Sequence, residues 1–154
     1  MQSLITFTLT ILTILLSFSA SAQLLDDEAP DFSRKDTLRG ALRPERTCYD
    51  VRHYDLNVKV DPGHQFLKGH NTITYYTNST FDTIQVDLFK NMNVDKITHH
   101  GEELAYNREY NAVFIAFPDE QPADRLDSLT FHYSGKPKVA ENPPWDGGLV
   151  WDQA

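Results

Sequence analysis

The sequence is poor in cysteine, in positive charge and in long helical patterns, and each shortage excludes a class of protein. Cys48 is the sole cysteine among 154 residues, so no disulfide can form within the chain and a packed core must hold the fold. Lysine and arginine number 14 against 22 aspartates and glutamates, which gives a net charge of -8. Because such a surface repels phosphate groups, we expect neither nucleic acid nor an anionic membrane surface as a partner.

Local signatures of nucleophilic or acid–base catalysis are missing as well. No G-x-S-x-G motif occurs. Asp119 with Glu120, and Glu102 with Glu103, are sequence neighbours, and neighbouring carboxylates do not oppose each other across a glycosidic bond. We interpret them as solvated turn residues. Cys48 has no positive helix end or histidine beside it, which favours a small buried side chain over a reactive thiol.

The histidines raise the question of a metal site, and their spacing argues against one. They are His53, His64, His70, His99, His100 and His132. His99 and His100 are neighbours on a predicted strand, so their side chains should point to opposite faces. His64 and His70 flank a turn without a third ligand at matching spacing. We therefore expect structural or solvated histidines, and no catalytic, cofactor-binding or metal-binding residue in this chain.

The one long apolar run lies at the amino terminus. Residues 4–18 are uncharged, and the small residues Ala20 and Ala22 follow at positions suited to a signal peptidase. A membrane span needs about 20 apolar residues, and this run is shorter. We predict a signal peptide over residues 1–22 and export to the periplasm or the extracellular space. Because Met1-Gln2-Ser3 supplies no basic residue, a retained membrane anchor is the alternative.

Residues 23–47 carry mixed charges and few apolar side chains, which predicts an extended, irregular arm or linker. A short helix around residues 36–42 is the alternative, because Asp36 could cap it and Gly40 lies near its far end. The predicted β domain follows, over residues 48–154.

Beyond Cys48, alternation of apolar and polar residues indicates β-strands. From Tyr49 to Asp61, one face carries apolar side chains, which predicts a half-buried strand. Those apolar side chains are Tyr54, Leu56, Val58 and Val60. Val113 to Phe117 is apolar on both faces and is the candidate for the middle of the core. Further strands are predicted over residues 66–76, 83–88, 94–98, 104–107 and 129–134.

Turn residues separate these strands, including Pro62-Gly63, Asn78-Ser79 and Gly101, and residues 118–122 are predicted as a surface loop. Short strands with turns between them predict an all-β antiparallel sandwich or an open barrel-like sheet. The segment from Glu141 to Trp151 combines two prolines, two glycines and two tryptophans, which predicts a packing or docking loop. Trp145 and Trp151 should form an apolar patch unless further residues cover them.

Several short runs, in this order and spacing, resemble a known family. They are Asp36 to Gly40, Pro44-Glu45-Arg46, Asp50 to Leu56, Gly69 to Thr74, Gln85 to Leu88, Tyr133 to Pro137 and Asn142 to Gly148. Together they are similar to the amino-terminal domain of the aminopeptidase N-like zinc metallopeptidases of the gluzincin class, in the form found in secreted bacterial enzymes.

The resemblance implies a saddle-shaped antiparallel β domain that packs on a thermolysin-like catalytic domain and helps to wall the cleft for a peptide's amino end. The family binds zinc with H-E-x-x-H and a downstream Glu, and the substrate's ammonium group with Gly-x-Met-Glu-Asn. Neither motif occurs here. The resemblance therefore implies a non-catalytic, incomplete domain that is inactive alone. Its implied partners are the missing catalytic domain, which would hold the zinc, and a peptide substrate in the full-length protein.

A stand-alone secreted β-sandwich module that binds protein or carbohydrate is the alternative function. Such sandwiches bind through loops and exposed aromatic side chains, and Tyr75, Tyr76, Tyr106 and Tyr110 lie near predicted turns or strand faces. A reading frame that continues past Ala154 into a zinc motif would favour the enzyme. A frame that ends there would favour the module.

Overall fold

The structure is a computed structural model that describes residues 31–152, and its strands form two antiparallel sheets. The predicted signal peptide and residues 23–30 lie outside the described residues. The elements are α1 (Arg34–Gly40), α2 (Pro44–Thr47), β1 (Tyr49–Asp61), β2 (Phe66–Thr77), β3 (Phe81–Asp87), β4 (Met92–His99), β5 (Glu102–Glu103), β6 (Ala105–Glu109), β7 (Ala112–Gln121) and β8 (Leu126–Gly135). One sheet has the order β1-β2-β8-β4-β5 and the other the order β3-β7-β6, which confirms the all-β antiparallel prediction. Neither described helix has the length and apolar character needed to cross a bilayer.

One hydrophobic cluster joins the two sheets. Tyr75 of β2 packs against Phe81 of β3 with ring centroids 6.5 Å apart, and Phe81 meets Phe117 of β7 edge to face at 5.4 Å. β7 is the central strand of the three-stranded sheet, as expected for the middle of the core. Only one of its faces is fully buried, however, because Phe114 is half-buried and Ala116 is exposed. The prediction of burial on both faces is therefore corrected.

The predicted surface loop over residues 118–122 is also wrong, because β7 continues to Gln121. Thr83 of β3 pairs with Ala116, but the next pair joins Phe81 to Gln121, so the register shifts between them. Pro118 falls within the unpaired interval of this irregularity. Its missing N–H group is not needed for a ladder hydrogen bond there, which is why a proline is tolerated within the strand.

The chain changes sheets at Leu104, within the single strand predicted for residues 104–107. β5 pairs with β4 in the larger sheet, and β6 pairs with β7 in the smaller one. Leu104 itself is buried, and its N–H donates to the carbonyl of Ile97 at 2.8 Å. The buried side chain and this hydrogen bond fix the point where the chain crosses between sheets.

Residues 34–40 and 44–47 are helical, and Ala41 and Arg43 between them have extended backbone. The prediction of an irregular arm is corrected for the two helical stretches, and the alternative helix around residues 36–42 is present as α1, which begins at Arg34. The Ser33 side chain accepts the N–H of Asp36, and the Asp36 carboxylate accepts the N–H of Ser33, so the pair forms a capping box at the start of α1. Leu38 is buried, and its carbonyl accepts hydrogen bonds from Gln85 Nε2 and Arg46 Nη2, each at 3.0 Å. The helix is thereby tied to β3.

Cys48 is buried at the junction between α2 and β1, which confirms the structural interpretation. Burial raises the pKa of its thiol to about 11. A thiol with this pKa carries almost no reactive thiolate at neutral pH. Its carbonyl accepts the N–H groups of Asn78 and Ser79 at 2.7 and 3.3 Å, so the same residue also anchors the turn after β2.

The docking of α1 can be tested by shortening its buried side chain. Leu38→Ala should lower the free energy of unfolding by about 2–5 kcal/mol, because it removes packed methyl groups and leaves a cavity. Leu42→Ala is the matched control, since Leu42 is 86% exposed. Its cost should stay within about 0.5 kcal/mol, as for other surface substitutions. Urea denaturation of both variants measures the difference, and equal losses would contradict the docking of α1 through Leu38.

Gly69 permits the close pairing of β2 with β1. A Cβ atom built on Gly69 would lie 2.1 Å from the carbonyl oxygen of Asn57. Gly69→Ala should therefore destabilise the fold by about 1–3 kcal/mol, because the two backbones would have to separate. Gly40→Ala is the control, because no atom lies within 4 Å of a Cβ there and alanine favours the helix. A shift of the urea midpoint as small in Gly69→Ala as in Gly40→Ala would contradict this constraint.

Candidate functional site

β1 is an edge strand whose apolar face is exposed. It pairs with β2 on one side and with no other strand of the described residues on the other. Its alternating apolar side chains are exposed by 58% at Tyr54, 62% at Leu56, 37% at Val58 and 52% at Val60. The predicted strand is present, but the prediction that it is half-buried is wrong. We call these four side chains the apolar edge surface.

The apolar edge surface continues the core-facing side of the larger sheet. Tyr54 is paired with Ile73, and Ile73 with Leu129. Directly paired residues share one face of a sheet, and both Ile73 and Leu129 belong to the buried cluster. The apolar residues of β1 therefore lie on the core-facing side of the sheet, as their alternation predicts. Its side chains are exposed because the part of the chain that the structure describes places no element over them.

The outer edge of β1 also presents backbone groups without a strand partner in residues 31–152. Such an edge can pair with a strand from elsewhere through main-chain hydrogen bonds. An apolar face and an open edge on the same strand make β1 a candidate interaction surface of the described chain.

The carboxyl-terminal segment adds exposed aromatic surface. Trp145 is 89% exposed, in agreement with the predicted patch, whereas Trp151 is half-buried. The segment is held by Leu149, whose N–H donates to the carbonyl of Lys138 at 2.8 Å and whose carbonyl accepts the N–H of Ala140 at 3.1 Å. The patch is therefore centred on one tryptophan rather than on two.

The structure brings His99 and His100 together, which corrects the prediction that they point to opposite faces. His99 is the last residue of β4, and His100 enters the turn with a positive φ of 51°. Strict alternation of faces applies only while both residues are extended. The left-handed backbone at His100 turns its ring back, so that the two imidazoles stack with centroids 3.9 Å apart.

Both imidazoles reach the carboxylate of Asp127 on β8. His99 Nε2 lies 3.1 Å from Asp127 Oδ2, and His100 Nε2 lies 3.0 Å from Asp127 Oδ1. The three ligand atoms lie within 4.8 Å of one another, so these residues could hold a metal ion. We call His99, His100 and Asp127 the histidine cluster. No sequence motif signals it, because Asp127 is 27 residues from His100 along the chain.

Asp127 is held as a buried carboxylate. Its side chain is 4% exposed, and it accepts hydrogen bonds from Arg125 Nη2 at 3.1 Å and from the N–H of Ser128 at 2.7 Å. Burial by itself raises the pKa of Asp127. The hydrogen bonds from His99 and Ser128 and the charges of the two histidines together lower this pKa by more than burial raises it. The resulting pKa lies below the usual value, which favours the ionised carboxylate.

The remaining histidines and the paired acids lie apart. His70 and His132 face each other across β2 and β8 with ring centroids 5.3 Å apart, and exposed His64 contacts Asp61 at 2.9 Å. The adjacent acids on β5 and near the end of β7 are exposed, which agrees with solvated residues. They are Glu102, Glu103, Asp119 and Glu120.

Comparison with known proteins gives a structural match. No protein-family model and no curated protein matches the sequence. A two-domain M1 zinc metallopeptidase bound to L-arginine matches with a TM-score of 0.55 and 24% identity over 64% of this chain. The M1 zinc metallopeptidase of Deinococcus radiodurans matches with the same TM-score and identity. At this identity the match shows the fold, and this fold fits the amino-terminal domain that the sequence resemblance implies. The chain covers 23% of the length of either structure.

The His70–His132 contact predicts a pH-dependent stability. Burial, together with the charges of Lys96 and His70, lowers the pKa of His132 below its usual value of 6.5. The unfolded chain therefore binds a proton at His132 more readily than the folded chain does. The free energy of unfolding should keep its full value above pH 6.5 and should fall as the pH drops below it.

Urea denaturation at pH 7.5 and pH 5.5 measures this dependence. His132→Gln should lose less stability on acidification than the wild type, whereas His53→Gln, which replaces an exposed side chain on β1, should retain the wild-type dependence. The same pH dependence in His132→Gln as in the wild type would contradict the role of His132.

Proposed function

We propose that this chain is the non-catalytic amino-terminal β domain of an exported, zinc-dependent aminopeptidase that removes amino-terminal residues from peptides. The observation that carries the proposal is the apolar edge surface on β1. It lies on the core-facing side of a sheet whose fold is shared with M1 zinc metallopeptidases. The proposed partner for this surface is the remainder of such an enzyme.

The apolar face of β1 is exposed in this chain, and its size supports the proposal that another part of the complete protein covers it. Tyr54 to Val60 extends about 20 Å along the strand, and contiguous apolar surface of this kind is typical of interfaces. Burial of a leucine side chain such as Leu56 contributes about 1.5–3 kcal/mol. Several such side chains in a row, beside unpaired backbone groups, favour a permanent intramolecular neighbour over a transient contact.

The lengths of the similar structures indicate what that neighbour is. One of them is described as a two-domain zinc metallopeptidase, and the present chain covers 23% of it. We infer that the zinc and the catalytic residues belong to the larger missing part, in keeping with the absence of H-E-x-x-H from this sequence. The domain would then wall the cleft that receives the peptide's amino end. Export rests on the predicted signal peptide over residues 1–22.

A charge placed on the apolar edge surface tests this proposal. The reading frame beyond Ala154 is expected to encode H-E-x-x-H and a downstream Glu, and the longer protein should hydrolyse aminoacyl anilides while the 154-residue chain does not. In the longer protein, Leu56→Lys should cost about 2 kcal/mol or more of stability, because a charge would be buried at the domain contact. In the 154-residue chain the same change should stay within about 0.5 kcal/mol.

Asn57→Lys is the matched control, because a lysine at position 57 adds the same charge to the opposite face of β1. It should leave the longer protein as stable and as active as the wild type. Equal effects of Leu56→Lys and Asn57→Lys would contradict a domain contact at β1. A frame that ends at Ala154, with a chain that remains monomeric, would instead favour the stand-alone binding module.

A further inference from the structure

We propose that His99, His100 and Asp127 bind a divalent transition-metal ion of the zinc type. The proposal concerns this chain's own side chains, and it does not depend on the proposed aminopeptidase.

The positions of the ligand atoms fit one ion. Two atoms that each bind a tetrahedral ion at about 2.1 Å lie roughly 3.4 Å apart. His99 Nε2 and His100 Nε2 are 3.1 and 3.0 Å from the two carboxylate oxygens of Asp127, and all three ligand atoms fall within 4.8 Å. The two nitrogen–oxygen distances are thus within about 0.4 Å of the spacing that ligand atoms take around one such ion.

The donor set indicates the class of metal. Two imidazole nitrogens and one carboxylate oxygen suit Zn²⁺, Cu²⁺ or Ni²⁺, whereas Ca²⁺ and Mg²⁺ prefer sites built from oxygen atoms. Three protein ligands leave a fourth position of a tetrahedral ion for solvent. The side chain of His100 is 68% exposed, so an ion could reach the cluster without opening the core.

The other two ligands are held in place by their surroundings. The ring of His99 is 11% exposed and packs edge-on against Phe117 at 5.1 Å. The N–H of Ser128 and Arg125 Nη2 orient the carboxylate of Asp127. Such outer contacts preorganise a site, because the ligands lose little freedom on binding.

The positive charge of Arg125 sets a limit on affinity. Its guanidinium lies 3.1 Å from the same carboxylate oxygen that faces His99, and it also donates to Gln121 Oε1 at 2.6 Å. A nearby cation repels a divalent ion, so we expect reversible rather than permanent binding.

Isothermal titration calorimetry with Zn²⁺ tests the site. The full 154-residue chain is purified without a histidine tag and treated with a chelator beforehand. We expect one ion per chain, with binding at least about tenfold weaker in His100→Ala and in Asp127→Asn, since even the loss of an outer contact typically weakens metal binding tenfold or more. Co²⁺ should give the visible absorption of a tetrahedral site in the wild type and not in His100→Ala.

His64→Ala is the matched control, because His64 also contacts a carboxylate, that of Asp61 at 2.9 Å, but has no third ligand beside it among the described residues. It should bind Zn²⁺ as the wild type does. Circular dichroism and urea denaturation establish that each variant is folded, and His100 is exposed enough for its replacement to be tolerated. Absence of saturable binding to the folded wild type would overturn the proposal. Undiminished binding in His100→Ala would overturn it too, and would leave the histidine cluster as a hydrogen-bonded clamp.

Discussion

The packing of the two sheets against each other is the interaction on which the rest of the structure depends. Tyr75, Phe81 and Phe117 connect the sheets through aromatic contacts, and the buried crossover at Leu104 is one of the points where the chain passes from one sheet to the other. Because the smaller sheet has three strands and the larger one five, the core-facing side of the larger sheet extends beyond its cover. The exposed apolar face of β1 follows from this difference in width.

The sequence predicts the strands well because alternation is a local property. Tyr54 and Leu56 alternate with polar residues as a core-facing pattern should, and the register places them on the core-facing side. Their exposure could not be predicted, because burial depends on what another part of a protein places over the strand. The extension of β7 through Pro118 was missed for a related reason, since the register shift that tolerates the proline is a property of the pairing with β3.

The histidine cluster shows where local reasoning fails at a site. The opposite orientation of His99 and His100 is correct for an extended dipeptide, but His100 adopts a left-handed backbone in the turn before Gly101. Asp127 joins them because β8 lies beside β4 in the sheet, although the two strands are distant in sequence. Gly101 does predict a turn at that point, but the sequence carries no signal that His100 belongs to the turn and not to the strand.

The open edge of β1 has a consequence for the protein on its own. A long strand with free backbone groups and an apolar face can pair with the same strand of another molecule, and such pairing leads to aggregation. Asp55, Lys59 and Asp61 lie on the other face of β1 and alternate in charge along it, so a second copy must desolvate these charges to approach. The polar face of β1 would thus oppose self-association of the chain through the apolar face of the same strand.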